Sequence, residues 1–426
     1  MKAIRNIFDN LEPKVKDNKF LHTVYDGFET FFFAPKETAP SSGAHIRDGI
    51  DLKRTMFLVV VALQLCLLFG MWNIGHQHYL ALGVPGFEGL TANLFTKLVY
   101  GFFQLLPIII VANVVGLGIE FIFAAKKGHA IEEGFLVSGM LIPLIMPPDV
   151  PLWMLALSIA FAVVIAKEAF GGTGMNILNI ALTARVFLFF AYPTEISGDT
   201  CWVAYDYNFL HNIFGMESST MAALGMNALP DGIKSLGEYV QLNPIDGWTG
   251  ATPLALAAKG GQAAIDSQYT FSQMFWGFIP GSIGEMSKPA ILVGMGMLIA
   301  TGIASWRIML SMVLGAIFAG LLFNAFGAAG SFLAVPFYYH LIMGSFLFAM
   351  VYMATDPVTA AQTASGKWIY GFMIGVVGMI VRVLNPAYPE GWMLAILLLN
   401  VFAPTIDYFV YQRNIKKRLA RMATAA

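Results

Sequence analysis

The stretch KLVYGFFQLLPIIIVANVVGLGIEFIF, residues 97–123, carries charge only at Lys97 and Glu120, near its two ends. A helix of about 17–25 mostly apolar residues crosses the hydrocarbon core of a bilayer, so this stretch predicts a transmembrane helix. The whole chain has the same character, because 57% of its residues are hydrophobic and only 12% are charged. Soluble domains carry about 25% charged residues. The composition therefore indicates a chain that is solvated by lipid.

Ten apolar segments recur along the chain, and together they predict an all-α polytopic membrane protein. They cover residues 56–75, 97–123, 134–148, 151–169, 175–192, 286–303, 305–326, 336–355, 366–384 and 390–411. Several are short for a complete crossing, and only Pro147-Pro148-Asp149 separates the third from the fourth. Short segments interrupted by Pro and Gly are typical of broken helices around a buried site.

A weak internal repeat divides the ten segments into two halves of five. Pro147-Pro148-Asp149, a span and the Gly- and Asn-rich loop 171–179 follow one another in the first half. Asp356-Pro357, a span and the loop 385–391 follow one another in the second half. Because each half has an odd number of spans, the halves would have inverted orientations, with sites at their interface near the midplane. Chance similarity between loops rich in Pro and Gly is the alternative.

Charge and cysteine content exclude several classes of protein. The net charge of −1 gives no bulk attraction for nucleic acid. The two cysteines, Cys66 and Cys201, lack the spacing of a zinc or iron–sulfur site. Residues 1–20 lack the apolar core of a cleaved signal peptide, so we expect the first spanning helix to direct membrane insertion.

The placement of Lys and Arg predicts the orientation, because cytoplasmic loops are enriched in these residues. An even number of spans puts both termini on one side, and both termini are basic, whereas residues 193–285 contain only two lysines. Lys97 and Arg382 count against this pattern. The predicted organisation is a cytoplasmic or interfacial segment at 1–55, a first five-helix half at 56–192, an outward-facing loop at 193–285, a second five-helix half at 286–411 and a basic cytoplasmic tail at 412–426. The first segment contains an amphipathic pattern that ends before Pro35.

The octet DGWTGATP, residues 246–253, lies in the outward-facing segment. The hydroxyl of Thr252 can form a phosphoester with a phosphate-bearing cofactor. The small residues Gly250 and Ala251 would give a modifying enzyme access, and Asp246 would bind a metal–phosphate group during attachment. The spacing alone favours an ordinary turn between helices.

The octet resembles the flavin-attachment motif in the B-type subunit of the sodium-translocating NADH:quinone oxidoreductases. Further stretches resemble the same family. They are HIRD at 45–48, KEAFGGTG at 167–174, IPGSIGE at 279–285, ATDPV at 354–358, NPAYPEG at 385–391 and NIKKRLAR at 414–421. The resemblance extends from about residue 20 to residue 421. It implies a membrane component of a bacterial inner-membrane complex.

The resemblance also implies two flavins. FMN would be joined covalently to Thr252 through a phosphoester, and a flavin transferase would attach it. A non-covalent riboflavin would lie between the halves, near Asn176 and Asn179. The family often has a basic residue and an Asn-Pro pair in this region, where this chain has Met175 and Asn179-Ile180.

Quinone and sodium are the remaining ligands that the resemblance implies. Quinone would lie near Gly116, Leu117 and Glu120, and the sodium path would include Glu120, Asp407 and Asp26. An ionisable group inside the hydrocarbon costs about 2.5 kcal/mol or more, so each such residue is a functional hypothesis.

The ionisable residues also have structural interpretations. Glu120 would be a solvated helix end beside Lys126 and Lys127, and Asp407 would pair with Arg413. Arg185, deep in the fifth span, needs an acceptor, such as a flavin oxygen or backbone carbonyls.

Several other residues are expected to have structural roles. Lys167 and Glu168 are expected to pair along their own helix. His76 and His78 follow the first apolar segment and are expected at the surface. The glycines at positions 371 and 375, four residues apart, favour close helix packing.

The predicted function is electron transfer from covalent FMN through riboflavin to quinone, coupled to sodium export. NADH would be oxidised by another subunit of the complex, because no G-x-G-x-x-G unit follows a strand pattern in this chain. The alternatives are a D-type subunit of an Rnf ferredoxin:NAD oxidoreductase and a non-redox channel or transporter for a small solute.

Overall fold

The computed structural model describes the membrane-spanning core of the chain. The described residues are 2–15, 21–22, 24–25, 29, 52–81, 87, 89–127, 135–196, 201–204, 251–328, 330–385 and 391–425. Asp26, Asp246, Gly250 and most of the predicted amphipathic segment before Pro35 lie outside these residues.

The described residues form helices and turns, with no strand among them. The α-helices are α1 (Lys2–Val15), α2 (Leu52–Ala81), α3 (Leu94–Lys127), α4 (Phe135–Ile145), α5 (Leu152–Phe161), α6 (Ile180–Ala191), α7 (Pro253–Asp266), α8 (Phe271–Trp276), α9 (Lys288–Ala300), α10 (Trp306–Phe326), α11 (Phe337–Ile342), α12 (Ala364–Leu384) and α13 (Trp392–Ala425). Shorter helical turns cover Pro193–Ile196, Phe332–Ala334 and Phe346–Phe348. A first π-helix, Ala162–Lys167, extends α5 and leads into a 3₁₀ turn at Glu168–Phe170, and a second π-helix covers Ala349–Met353.

The prediction of an all-α polytopic membrane protein with broken helices is confirmed. Within the described ranges, six helices are long and apolar enough to cross a membrane, and α4, α6 and α9 are shorter apolar helices. The predicted eighth segment is interrupted, since α11 ends at Ile342 and helical geometry resumes only at Phe346. The last helix, α13, runs on to Ala425 without a break, so the predicted basic tail continues this helix.

Polar residues mark the starts of several of these helices. The side chains of Asn179, Ser287 and Thr363 each accept a hydrogen bond from the backbone N–H three residues further on. Such N-caps satisfy one of the four backbone donors that a helix start leaves unpaired. These starts lie near the starts of the apolar segments that the sequence predicts.

Part of the helix packing recurs in the two parts of the chain, although α2 packs against α3 and the described residues show no comparable contact between α9 and α10. The second apolar helix packs against the fourth in each part, as α3 against α5 and α10 against α12. The two first helices, α2 and α9, also pack against each other, and so do α6 and α13. This correspondence supports an internal repeat, and the inverted orientation of its two copies stays a prediction.

Lys97 and Arg382 lie inside the protein, although the sequence placed them in or near outward-facing loops. Both side chains are 0% exposed. The Lys97 ammonium donates to two backbone carbonyls of residues 87–89, at 2.8 and 2.7 Å. The Arg382 guanidinium donates to two carbonyls of residues 340–343, at 2.9 and 3.1 Å. Neither residue is a loop cation, so neither counts against the predicted orientation.

Two glycines allow α10 and α12 to approach closely, as their spacing predicted. A Cβ atom at Gly371 would overlap the Ser311 hydroxyl, and one at Gly375 would lie 2.7 Å from the backbone nitrogen of Ala316. Distances below about 3.0 Å require one of the two helices to move. Small residues at such crossings are typical of membrane helix pairs.

We expect Gly375→Ala to destabilise the protein by about 1–3 kcal/mol, because the added methyl group has no space at this crossing. The measurement is the thermal unfolding temperature of the purified protein in detergent. Gly296→Ala on α9 is the matched control, since a Cβ atom there meets nothing within 4 Å. Equal unfolding temperatures for the two variants would show that α10 and α12 do not pack in this way.

Candidate functional site

Thr252 is the residue that starts α7. Its hydroxyl oxygen accepts a hydrogen bond from the backbone N–H of Ala255 at 3.2 Å, and Pro253 occupies the first turn of the helix. The neighbouring Ala251 is buried, and its carbonyl accepts from the Tyr269 hydroxyl at 3.0 Å. Thr252 itself is partly exposed, so its hydroxyl is held in place and still open to reaction.

A cleft of about 360 Å³ lies beside this hydroxyl, and we name it the Thr252 cleft. It is lined by Trp202, Thr252, Pro253, Leu254, Ile279, Pro280, Gly281, Ser282, Glu285, Met286, Gly344 and Ser345. Most of these residues are apolar, and a few polar groups are interspersed among them. Such a lining is typical of sites for aromatic cofactors.

The position of Thr252 suits a phosphoester. A phosphate on this hydroxyl would lie at the N-terminus of α7, where unpaired N–H groups and the helix dipole favour negative charge. The cleft beside it has the apolar walls that suit an aromatic ring. The described residues therefore fit a covalently attached FMN.

Arg185 lies behind the Thr252 cleft. Its guanidinium donates to the Ser282 hydroxyl at 3.1 Å and lies 5.8 Å from the centroid of the Trp202 ring. Ser282 and Trp202 both line the cleft. A smaller cavity of about 280 Å³, lined by Arg185 and Glu285 among others, adjoins this group. Arg185 is thus placed near the predicted covalent flavin.

Asn176 and Asn179 belong to a different cavity. Arg185 follows Asn179 by six residues on α6, which is about 9 Å along the helix axis. The structure therefore separates Arg185 from these two asparagines, although the sequence suggested a flavin contact for all three. Both asparagines line a larger cavity of about 820 Å³.

This larger cavity lies between the two parts of the chain, and we name it the inter-half cavity. It is lined by Thr55, Met56, Val59, Val137, Ser138, Leu141, Lys167, Thr173, Asn176, Asn179, Ile180, Leu298, Ile303, Ala304, Val351, Tyr352, Thr355, Asp356, Pro357 and Val358. The two π-helices both contribute to this lining. π-Helical turns occur frequently at functional sites.

One of the hydrogen bonds at this cavity connects the two parts of the chain, and others hold the loops on either side. The Asn179 amide donates to the Asp356 carboxylate at 3.4 Å, and the Asn176 amide donates to the Leu178 carbonyl at 3.2 Å. Asp356 also accepts from the Val358 N–H at 3.0 Å. Removal from water raises the pKa of the Asp356 carboxyl, and these donors act in the opposite direction.

The inter-half cavity suits a neutral flavin without a phosphate. Lys167 is the one cation and Asp356 the one carboxylate among the described lining residues, whereas phosphate sites usually provide several donors. Met175, where the chain departs from the family pattern, is 68% exposed and is not among the lining residues. Ile180, the other departure, starts α6 and contributes an apolar wall.

Glu120 forms a buried ion pair with Lys167, and both side chains are at most 6% exposed. The expectations of a solvated Glu120 and of a Lys167–Glu168 pair are therefore wrong. Glu168 instead pairs with Lys127 at 3.0 Å. The reason is that the first π-helix and the following 3₁₀ turn lie alongside the end of α3, and sequence spacing cannot show this.

Gly116 and Leu117 lie on α3 one turn before Glu120. A Cβ atom at Gly116 would overlap the ring of Phe135, so this glycine allows α4 to lie directly against α3. Leu117 is partly buried against the hydrophobic core. The structure therefore brings Gly116 and Glu120 together with Phe135 and Lys167.

Asp407 is held by the start of α12. Its carboxylate accepts from the backbone N–H groups of Gln362 at 2.7 Å and Thr363 at 3.0 Å, and from the Thr363 hydroxyl at 2.5 Å. Arg413 is exposed. The predicted Asp407–Arg413 pair is thus replaced by a cap on a neighbouring helix.

A family model described as "NQR2, RnfD, RnfE family" matches residues 39–416. The chain belongs to this family. The predicted resemblance to the sodium-translocating NADH:quinone oxidoreductases is confirmed by full-length relatives. A protein of Chromohalobacter salexigens, named as the B-type subunit of the Na(+)-translocating NADH-quinone reductase, is 43% identical over 99% of this chain and 97% of its own length. Proteins with the same name from Ectopseudomonas mendocina and Pseudomonas aeruginosa are 41% and 40% identical over 98% of this chain and 99% of their own lengths.

His76 and His78 are buried in this NQR2/RnfD/RnfE family member, and the expectation that they lie at the surface is wrong. They are 3% and 0% exposed. His76 contacts the Lys97 ammonium at 3.1 Å, and His78 contacts the Ala204 carbonyl at 2.9 Å. The prediction failed because α2 extends beyond the apolar segment, to Ala81. The aromatic side chains of the 71–79 stretch could have indicated that these two histidines are buried.

We expect Asp407→Ala to loosen the start of α12, because two backbone N–H groups lose their acceptor, at a cost of about 1–3 kcal/mol each. The measurement is hydrogen exchange of peptides that cover residues 360–366. Arg413→Ala is the control and should leave this exchange unchanged. Equal exchange in Asp407→Ala and the unmodified protein would contradict the capping role.

Proposed function

We propose that this chain is the membrane component of a sodium-translocating NADH:quinone reductase that carries electrons between two flavins. The observation that carries the proposal is similarity of 40–43% over nearly the whole length to relatives named as the B-type subunit of that enzyme. The matching family also includes RnfD and RnfE, so a D-type Rnf subunit is the nearest alternative. The full-length similarity to the B-type subunit favours the quinone reductase.

The two cavities support separate roles in this function. Thr252 provides the hydroxyl for a phosphoester to FMN, and the Thr252 cleft provides the surrounding walls. Asn176, Asn179 and the apolar residues around them would hold riboflavin in the inter-half cavity. Flavins supply chemistry in which electrons are accepted singly and the potential is tuned by nearby charge. Arg185 and Glu285 line the smaller cavity beside the Thr252 cleft.

Both termini would be cytoplasmic, and the 193–285 segment would face the periplasm of a bacterial inner membrane. The exposed basic residues of α13 support this orientation. Lys97 and Arg382 do not oppose it, since both side chains are buried and donate to backbone carbonyls. In this orientation the Thr252 cleft opens outward, and the Glu120–Lys167 pair lies toward the cytoplasm.

Quinone and sodium would use the cytoplasmic end of the protein. Gly116, Leu117 and Glu120 form one stretch of α3 that would face quinone, and Glu120, Asp407 and Asp26 are the acids proposed for sodium. Glu120 and Asp407 are both engaged by protein partners in this structure. A sodium ion would therefore have to replace or join those partners. NADH-oxidising and further membrane subunits would complete the complex.

A non-redox transporter is the second candidate, because cavities between two repeated halves are also typical of secondary transporters. That function gives no reason for a helix-capping threonine within a flavin-attachment motif. The presence or absence of a covalently bound flavin separates the two functions.

We expect the denatured protein, produced together with a flavin transferase, to give a fluorescent band on a gel. Thr252→Ala removes the hydroxyl and should abolish the fluorescence. Thr249→Ala, in the same motif, should retain it. A non-fluorescent wild-type band under these conditions would reject the attachment of FMN.

We expect Ser138→Trp to reduce the non-covalent flavin of the purified complex at least about tenfold, because the indole ring would occupy the inter-half cavity and a loss of about 1.4 kcal/mol in binding is already tenfold. The measurement is the amount of flavin that denaturation releases into solution. Leu136→Trp is the control, since Leu136 lies on the same helix and is not among the residues that line the cavity.

Each variant should affect only one flavin. Ser138→Trp should keep the fluorescent band at wild-type intensity, and Thr252→Ala should keep the released flavin. Unchanged flavin release in Ser138→Trp would place riboflavin elsewhere.

A further inference from the structure

The Glu120–Lys167 pair lies at the wall of the inter-half cavity. Lys167 is the last residue of the first π-helix, and its side chain is 2% exposed. The same lysine lines the cavity, and it is the one cation among the described residues that do so. Lys167 therefore contributes to the cavity wall while its ammonium is paired with the Glu120 carboxylate.

The surroundings of this ammonium are apolar. Lys167 lies 5.9 Å from the centroid of the Phe135 ring, and that ring is in turn packed against Gly116. Phe135 is fully buried. Charges in such surroundings are poorly screened, so a change of charge in the cavity is felt strongly by Lys167.

A second ion pair joins α3 to the 3₁₀ turn that follows the first π-helix, without reaching the cavity. Lys127 on α3 pairs with Glu168 at 3.0 Å, and the Lys127 side chain is 35% exposed. Neither residue is among those that line the cavity. Both pairs attach this part of the chain to α3, and of the two the buried pair includes a residue that lines the cavity.

We propose that Lys167 is a positioning residue that raises the reduction potential of the group in the inter-half cavity, and that Glu120 limits this effect by competing for the same ammonium. The proposal rests on the proposed function, in which this cavity holds the non-covalent flavin. It adds an electrostatic role for Lys167 and a second role for Glu120, as the counter-charge of that lysine.

The charge balance explains why a lysine is suited to this place. An electron that reached the cavity from a flavin at Thr252 would form or break no bond in the protein. If no proton accompanies the electron, the cavity gains one negative charge. The long stem of Lys167 allows its ammonium to turn toward that charge while it stays within reach of Glu120. The positive charge stabilises the reduced form relative to the oxidised form.

Removing either partner of the ion pair should shift the midpoint potential of the flavin, and the two shifts should have opposite signs. This difference distinguishes an electrostatic role from a structural one. Lys167→Met removes the cation and should lower the midpoint potential of the non-covalent flavin. Glu120→Gln leaves the cation without its counter-charge and should raise the potential. A tenfold change in the ratio of reduced to oxidised flavin corresponds to about 59 mV for a one-electron couple, and we expect shifts of at least this size. A purely structural ion pair would shift the potential in the same direction in both variants.

The experiment is a spectroscopic redox titration of the purified complex, with the released flavin measured in each variant. Lys167→Arg keeps the positive charge, so the midpoint potential of the non-covalent flavin should stay close to the wild-type value. Lys127→Met is the matched control and should leave the potential at the wild-type value. If the Lys167→Met complex does not assemble, the Glu120→Gln complex provides the test. An unchanged midpoint potential in the Glu120→Gln complex overturns the proposal.

The proposal and the proposed function fail in different ways. A wild-type complex that releases no flavin rejects the assignment of this cavity to riboflavin, and the role of Lys167 with it. Released flavin with the same potential in Lys167→Met and the wild type rejects the role of Lys167 alone.

Discussion

The break in the eighth apolar segment, at residues 343–345, is lined by two buried cations. Arg382 donates to the carbonyls of His340 and Met343 at 2.9 and 3.1 Å, and Lys288 donates to the carbonyl of Gly344 at 3.2 Å. Both side chains are 0% exposed. A broken helix inside a membrane leaves carbonyl groups that lipid cannot satisfy. The two cations satisfy them and so make the break possible.

Because of the break, one segment of the chain lines both cavities. Gly344 and Ser345 line the Thr252 cleft, and Val351 and Tyr352, in the π-helix a few residues later, line the inter-half cavity. An unbroken helix would present one continuous apolar face instead. The interrupted segment therefore contributes residues to both the Thr252 cleft and the inter-half cavity.

Local patterns predicted most of the helices and part of the site. The capping residues Asn179 and Thr252 lie at helix starts, as Asn and Thr commonly do. Asn176 and Asn179 were grouped by resemblance, and both line the inter-half cavity. The partners of the charged residues were not predictable in this way. Asp407 caps α12, and Glu120 pairs with Lys167, which lies 47 residues away in the sequence.

The sequence by itself determined that the chain is a helical membrane protein, roughly where its helices lie and which family it resembles. These properties depend on hydrophobicity, capping residues and short motifs, and all of them are local. Only the tertiary structure decided that Lys97, Lys167 and Arg382 are interior cations, and that Arg185 lies with the Thr252 cleft. A buried charge takes whichever acceptor its neighbouring helices bring within reach, and that depends on packing between segments far apart in the chain.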